Sequence, residues 1–393
     1  MNAPTGPSRT DRRLAPDLAR GAMLLLIAMA YASVYAGGGF GTDVTAEALP
    51  DRVAAFVSTL VLDNRAFPMF AILFGYGMAW MVARRSARGT ADTEVRRLLR
   101  RRGLFLLLFG FVHAVLVFPG EILASYGFAA LVTGWLLLRP NRVVVRAAVV
   151  LAVFYALVVP AAMIMMSAGG GGGGEWGLPG YLTAADWVAR LASAPFSPLF
   201  IAVAYPLLLL VVLGYLAGRA GLLDDPVAHR ALLTRIAVGG VTVSLAGALP
   251  SALVAVGALD ADGLTAGLFM GLQVLTGVCG GAGYAALFTL WSIRLDRTGG
   301  TLTRAVAAMG RRSLTFYLLN SVLVALVLHS DLVGMGTRVG GAGALVVAAL
   351  VWCVSLVLAA SLERAGRPGP MDALMRRLVH GGDPGRRESR SAA

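Results

Sequence analysis

Only four of the 393 residues are histidine, and one of them, His113, ends an apolar run, Arg102-Gly-Leu-Phe-Leu-Leu-Leu-Phe-Gly-Phe-Val-His113. On a helix rising 1.5 Å per residue, eleven residues carry the imidazole about 16 Å beyond Arg102. That is half the thickness of a bilayer's hydrocarbon core. Eight residues later, after Pro119-Gly120, comes Glu121. Pro-Gly is a turn signal, so the two side chains fall on consecutive antiparallel helices. An imidazole beside a carboxylate is a general-base arrangement, in which the carboxylate fixes the tautomer and raises the basicity of the ring. The same two groups can instead staple a helical hairpin by a structural hydrogen bond, and residue type alone does not separate these roles.

Other polar side chains in apolar surroundings are few, and each is a functional candidate because ionisable groups are costly in hydrocarbon. Arg20 stands at the mouth of the first apolar segment, where snorkelling also accounts for it. Tyr31, eleven residues further, lies at the depth of His113. Asp63, Asn64 and Arg65 form a cluster expected to cap the second span at the interface. His329, Ser330 and Asp331 are expected to be solvated at a helix end, and His229 and His380 lie in arginine-rich segments. Cys279 and Cys353 fall inside expected spans as buried thiols, with neither a disulfide framework nor metal-ligand spacing. No metal site is expected.

The elements that position these groups follow from composition. Hydrophobic residues make up 58% of the chain and charged residues 14%, against about 25% charged in soluble domains, and mean hydropathy is +0.75. Apolar runs of span length must be helical, because lipid offers no partner to an open backbone. The expected architecture is all-α, a polytopic transmembrane bundle of ten spans. They run over 20–36, 67–83 (preceded by an amphipathic stretch at 52–62), 103–118, 121–138, 146–166, 197–218, 236–259, 264–291, 313–328 and 340–362. Segments 1–19 and 363–393 are then a cytoplasmic N-terminal tail and a disordered, arginine-rich cytoplasmic tail around a transmembrane domain at 20–362. The N-terminus lacks a cleavable signal pattern. Phe74–Gly77 and Gly277–Gly283 suit close helix packing through small residues. Loop 167–196 opens with Gly169–Gly174, a run that cannot hold a helix cheaply, and its stretch 176–187 carries tryptophans suited to an interface.

The net charge of +13 would suit a nucleic-acid partner if it were clustered. It is spread between the apolar runs, all 34 basic residues being arginine. Ten spans place 30 of them on one side and leave Arg52, Arg65, Arg190 and Arg338 on the other. That asymmetry orients both termini to the cytoplasm. The partner implied is the lipid bilayer, not nucleic acid.

Four strings carry a family resemblance. Asp17-Leu-Ala-Arg20-Gly21 resembles the Leu-Asp-x-x-Arg-Gly opening of the domain-of-unknown-function 418 (YeiB-like) family of bacterial membrane proteins. Phe70-Ala-Ile-Leu-Phe74-Gly75-Tyr-Gly77 resembles its Phe-x-x-Leu-Phe-Gly-x-Gly element. Gly110-Phe-Val-His113 with Gly120-Glu121-Ile122-Leu123-Ala-Ser-Tyr126-Gly127 resembles Gly-x-x-His…Gly-Asp-Ile-Leu-x-x-Tyr. Gly310-Arg311-Arg312-Ser313-Leu314-Thr315-Phe316-Tyr317-Leu318-Leu319-Asn320-Ser321 resembles Gly-Arg-Met-Ala-Leu-Thr-Asn-Tyr-x-x-Gln-Ser. Glu121 replaces the family's Asp, Tyr31 its midplane Asn, and Phe316 the Asn of Thr-Asn-Tyr.

This family is similar to transmembrane acyltransferases, which move an acyl group from cytosolic acyl-CoA to an acceptor on the far side by way of an intramembrane histidine. The resemblance implies a bacterial cytoplasmic (inner) membrane protein. His113 would be base or acyl carrier and Glu121 its orienting partner. Arg20 or Arg311 would contact the anionic donor, and Tyr31, Thr315, Tyr317 and Asn320 would line the cavity. Acyl-CoA would be a co-substrate rather than a resident cofactor, and the acceptor a small or envelope-linked molecule. A transporter or exporter, and a non-catalytic membrane subunit, are the alternatives. The absence of a visible inverted repeat weighs against transport.

Overall fold

A computed structural model describes residues 14–37, 44–168 and 178–380. The glycine run, Trp176, most of the expected N-terminal tail and residues 381–393 of the C-terminal one lie outside the described residues. The described chain is helical throughout: α1 (Leu14–Tyr35), α2 (Leu49–Val61), α3 (Ala66–Ser86), α4 (Asp92–Leu116), α5 (Leu123–Thr133), α6 (Asn141–Met166), α7 (Ala184–Ser193), α8 (Ser197–Ala204), α9 (Leu207–Arg219), α10 (Arg230–Ala255), α11 (Gly263–Thr298), α12 (Thr301–Arg311), α13 (Ser313–Leu328), α14 (Gly336–Arg364) and α15 (Pro370–His380).

Among the described residues, six helical segments are long and apolar enough to cross a membrane: α1, α2 with α3, α6, α10, α11 and α14. The number is eight if two bent pairs, α7–α8 at 46° and α12–α13 at 94°, each count as one. Helix α6 shows why the bundle needs lipid. Val149, Val153 and Leu157, spaced every fourth residue, all face outward and are more than half exposed, and each would cost about 1.5–3 kcal/mol left in water. The chain is a multi-pass membrane protein. Both cysteines also face outward, which corrects the expectation of buried thiols.

Helix α1 is central and packs against α3, α11, α12, α13 and α14. Close approach relies on the small residues expected to provide it. A β-carbon on Gly75 would stand 3.1 Å from the Cα of Gly214 in α9, and one on Gly281 would overlap Pro68 and Met69 at the start of α3.

The connection between α2 and α3 is an abrupt break, with Asn64 at φ 57°, a left-handed conformation that asparagine tolerates better than most residues. The carbonyls freed there are met by side chains. Arg65 donates to Thr59 O (2.8 Å), to Asp63 O and to Ser244 O (2.6 Å), and Tyr284 donates to Val61 O (2.8 Å). Arg65 is thus fully buried, an internal brace rather than the interfacial cap expected.

The expected disordered tail is also corrected within its described part. Helix α14 runs on to Arg364, and α15 docks on α4 and α13.

Candidate functional site

His113 occupies the last turn of α4, and Glu121 follows the turn into α5. The Glu121 carboxylate accepts from Leu123 N (2.5 Å) and Ala124 N (2.7 Å), two amides at the start of α5. A helix N-terminus leaves such donors unmatched and favours negative charge, so the glutamate is fixed where it caps the helix. Gly110, one turn before His113, makes room for it, since a β-carbon there would stand 2.5 Å from Oε1. His113 Nδ1 lies 4.0 Å from Glu121 Oε2, with both side chains almost wholly buried. Neither ring nitrogen of His113 has a hydrogen-bond partner among the described residues. The two groups are neighbours without being directly bonded.

Tyrosines complete the surroundings. The ring of Tyr317 lies 5.6 Å from the imidazole, and its hydroxyl is 2.5 Å from that of Tyr31 and accepts from Ile122 N (3.4 Å). Phe118 packs on Tyr31 with ring centres 4.6 Å apart. Ser125 and Ser321, each one turn beyond Glu121 and Tyr317 on α5 and α13, are buried with unpartnered hydroxyls. Unmatched buried polar atoms are uncommon in folded proteins, and several on neighbouring helices suit a polar guest.

The structure therefore brings His113, Glu121, Tyr31 and Tyr317 together. Asn320 belongs elsewhere, because its Oδ1 accepts from Ser355 Oγ of α14 (2.5 Å). Thr315 lies at the opposite end of α13, where its amide (3.1 Å) and hydroxyl (2.7 Å) both donate to Asp372 of α15. This aspartate caps the helix that starts at the 94° bend. Asp372→Ala is expected to lower stability by about 1–2 kcal/mol, seen as an earlier thermal unfolding transition, with partial recovery in Asp372→Asn. An unchanged transition would make α15 a passive appendage.

The two arginines assigned to an anionic donor are placed differently. Arg20 reaches Leu73 O (3.4 Å) and lies against Gly77. Arg311 is held by Glu363 (2.7 Å), which also pairs with Arg312 at the same distance. A cation not singled out in the sequence, Arg102, stands close enough to Arg20 and Asp372 for their charges to act on it.

At the other end, the C-terminus of α4 is roofed by the segment before α7. Arg190 is fully buried and donates to Gly180 O (2.9 Å), Pro179 O (2.5 Å), Val115 O (3.3 Å) and Val117 O (3.4 Å). Tyr181 lies under its guanidinium at 3.9 Å and meets His329 edge-on, with ring centres 4.7 Å apart. His329 is only 3% exposed, so the solvated helix end expected there is a packed corner. Position on an outer loop gave no sign of this, because the acceptors are backbone carbonyls.

Residues 217–382 match the model of a family described as "Protein of unknown function (DUF418)". The match contains the bend between α12 and α13 and lies wholly C-terminal to the hairpin of His113 and Glu121. Over 374 residues the chain is 23% identical to the uncharacterized protein YxaH of Bacillus subtilis (strain 168), covering 89% of this chain and 87% of that protein. No solved structure matches the chain.

Proposed function

We propose, from the match of residues 217–382 to the DUF418 family model, that the chain is a DUF418-family membrane acyltransferase with His113 as its general base. The observation that carries this reading is a buried imidazole with two unpartnered nitrogens, 4.0 Å from a fixed carboxylate. In the step proposed, a ring nitrogen takes the proton of an acceptor hydroxyl or amine as that atom attacks the carbonyl carbon of an acyl thioester. The carbon–sulfur bond breaks, and the leaving thiolate takes the proton back from the imidazolium. Glu121, held by two amides 4.0 Å from the ring, would favour the imidazolium when its carboxylate is ionised. Tyr317 and Tyr31 offer hydroxyls near the ring. Arg20, joined by Arg102 rather than by the paired Arg311, supplies positive charge for the phosphates of acyl-CoA. Purified protein is expected to bind acyl-CoA and to hydrolyse it slowly without acceptor. Failure of both would remove the reading.

The proposal places the chain in a bacterial cytoplasmic membrane with ten crossings and both termini inside, as the arginine asymmetry suggests. Single cysteines at 180 and 225 are then expected to label from opposite sides of sealed vesicles, 180 outside and 225 inside. Labelling from one side would overturn the span count.

Transport is the second reading, favoured by the break between α2 and α3, since discontinuous helices often border substrate sites. Substrate flux without acyl-CoA turnover would select it.

A further inference from the structure

The strap that roofs the end of α4, residues 178–183, is tied to the connection between α13 and α14 through one histidine. His329, the residue after α13, is buried, and its Nδ1 lies 3.1 Å from Asp331 N. A backbone amide can only donate, so Nδ1 accepts and the ring is the neutral Nε2–H tautomer. An asparagine side chain makes the same bond to the amide two residues on. The turn it folds presents Asp331 Oδ2 to the strap, where it accepts from Tyr181 N at 2.8 Å. A bond inside the turn thus aims the carboxylate that latches the strap.

Charged and titratable groups face the ring from each side. Tyr181 of the strap and Tyr35 of α1 meet it edge-on, with ring centres 4.7 and 5.8 Å away. Arg190, packed on Tyr181, is close enough for its charge to oppose a second one on the imidazole. The Asp331 and Asp186 carboxylates act in the other direction, but both are engaged by the strap. Asp331 holds Tyr181 N, and Asp186 accepts from Gly180 N (3.1 Å) and Thr183 N (2.9 Å). Burial outweighs them and holds the imidazole below the usual histidine range.

A proton on Nδ1 would set two donors face to face across the turn. The bond to Asp331 N is then lost, and the new N–H finds its acceptor in the Asp331 carboxylate, which must leave Tyr181 N. We propose that His329 is an acid-operated latch, whose protonation frees the strap from the α13–α14 connection and opens the roof over the end of the His113 hairpin. With ten crossings this corner faces outside, so the latch reads external pH. Above about pH 6.5 the ring is neutral whether the strap is closed or open, and the balance stays put. Below it the open form takes up a proton that the closed form resists, so acid favours opening. The latch is a property of the strap and does not rest on acyl transfer.

The test is hydrogen exchange of the purified full-length protein, read by mass spectrometry on the peptide containing Tyr181 and corrected for the intrinsic rate at each pH. Between about pH 7.5 and 5 the protection of Tyr181 N is expected to fall about tenfold or more, as the open form gains its proton. Ala342 N, a part-buried amide held by the Asp51 carboxylate at 2.8 Å, is the internal control for loosening of carboxylate-held amides in acid, and is expected to keep its protection. His329→Asn retains an acceptor for Asp331 N but cannot gain a proton, and is expected to hold the strap's protection constant over the same range. Should that variant fail to fold, the contrast between Tyr181 N and Ala342 N in the parent decides alone. Unchanged protection of Tyr181 N, an equal fall at Ala342 N, or the same fall in His329→Asn would overturn the proposal.

Discussion

His113→Ala is expected to reduce acyl-CoA turnover by about 10²- to 10⁴-fold, the usual contribution of a positioned general base, with little change in thermal stability. The second half follows from geometry. The imidazole makes no hydrogen bond in the structure, so its removal forfeits only packing. Glu121→Gln should behave differently. Glu121 caps α5 through both carboxylate oxygens, and an amide keeps only one acceptor. This variant should therefore lose about 1 kcal/mol of stability as well as activity. In the double variant the losses in turnover should not add, because both groups serve one proton transfer. Full turnover by folded His113→Ala protein would end the catalytic role. A fall in activity that disappears in stabilising lipid would reassign the histidine to structure.

The pairing at the centre of that prediction was legible before any coordinates. Pro119-Gly120 predicts a tight reversal, and a reversal between two apolar helices has to bring His113 and Glu121 side by side. The all-helical architecture was equally legible, because a run such as Leu104–Phe118 has one solution in lipid. Tyr31 and Tyr317, 286 residues apart, were joined only by the family resemblance. Three features had no signal at all: Arg65 bracing the α2–α3 break, Asp372 capping α13, and Arg190 closing the roof. Their physical cause is shared. Arg65 and Arg190 bond backbone carbonyls and Asp372 a backbone amide, groups that every residue carries and no side-chain pattern announces. Arginine's position between hydrophobic runs can carry an orientation signal only where the side chain is solvated, as Arg96 and Arg97 are, and not where it folds inward.

Arg190 is the sharpest of these cases, and Arg190→Met is expected to cost roughly 3–5 kcal/mol. The substitution keeps the length and apolar stem of the side chain but leaves the carbonyls of Pro179, Gly180 and Val115 without this donor, at about 1–3 kcal/mol for each buried group left unmatched. Val117 O is better protected, since Tyr181 also donates to it at 2.8 Å. Arg190→Lys should recover little. One ammonium cannot reach both the 179–180 strap and the end of α4, whereas the planar guanidinium carries donors that diverge. The loss should appear as an earlier unfolding transition and as faster labelling of a cysteine placed at residue 182. It also bears on chemistry, because Val115 and Val117 follow His113 by two and four residues, and the strap covers that end of the hairpin. A loosened strap would admit water to the imidazole, and water competes with the acceptor for the acyl group. Hydrolysis of acyl-CoA should therefore rise relative to transfer in Arg190→Met at a temperature where the protein stays folded. A variant that unfolds within 1 kcal/mol of the parent, with the ratio of hydrolysis to transfer unchanged, would reduce Arg190 to an ordinary interfacial arginine and leave the roof over His113 without its anchor.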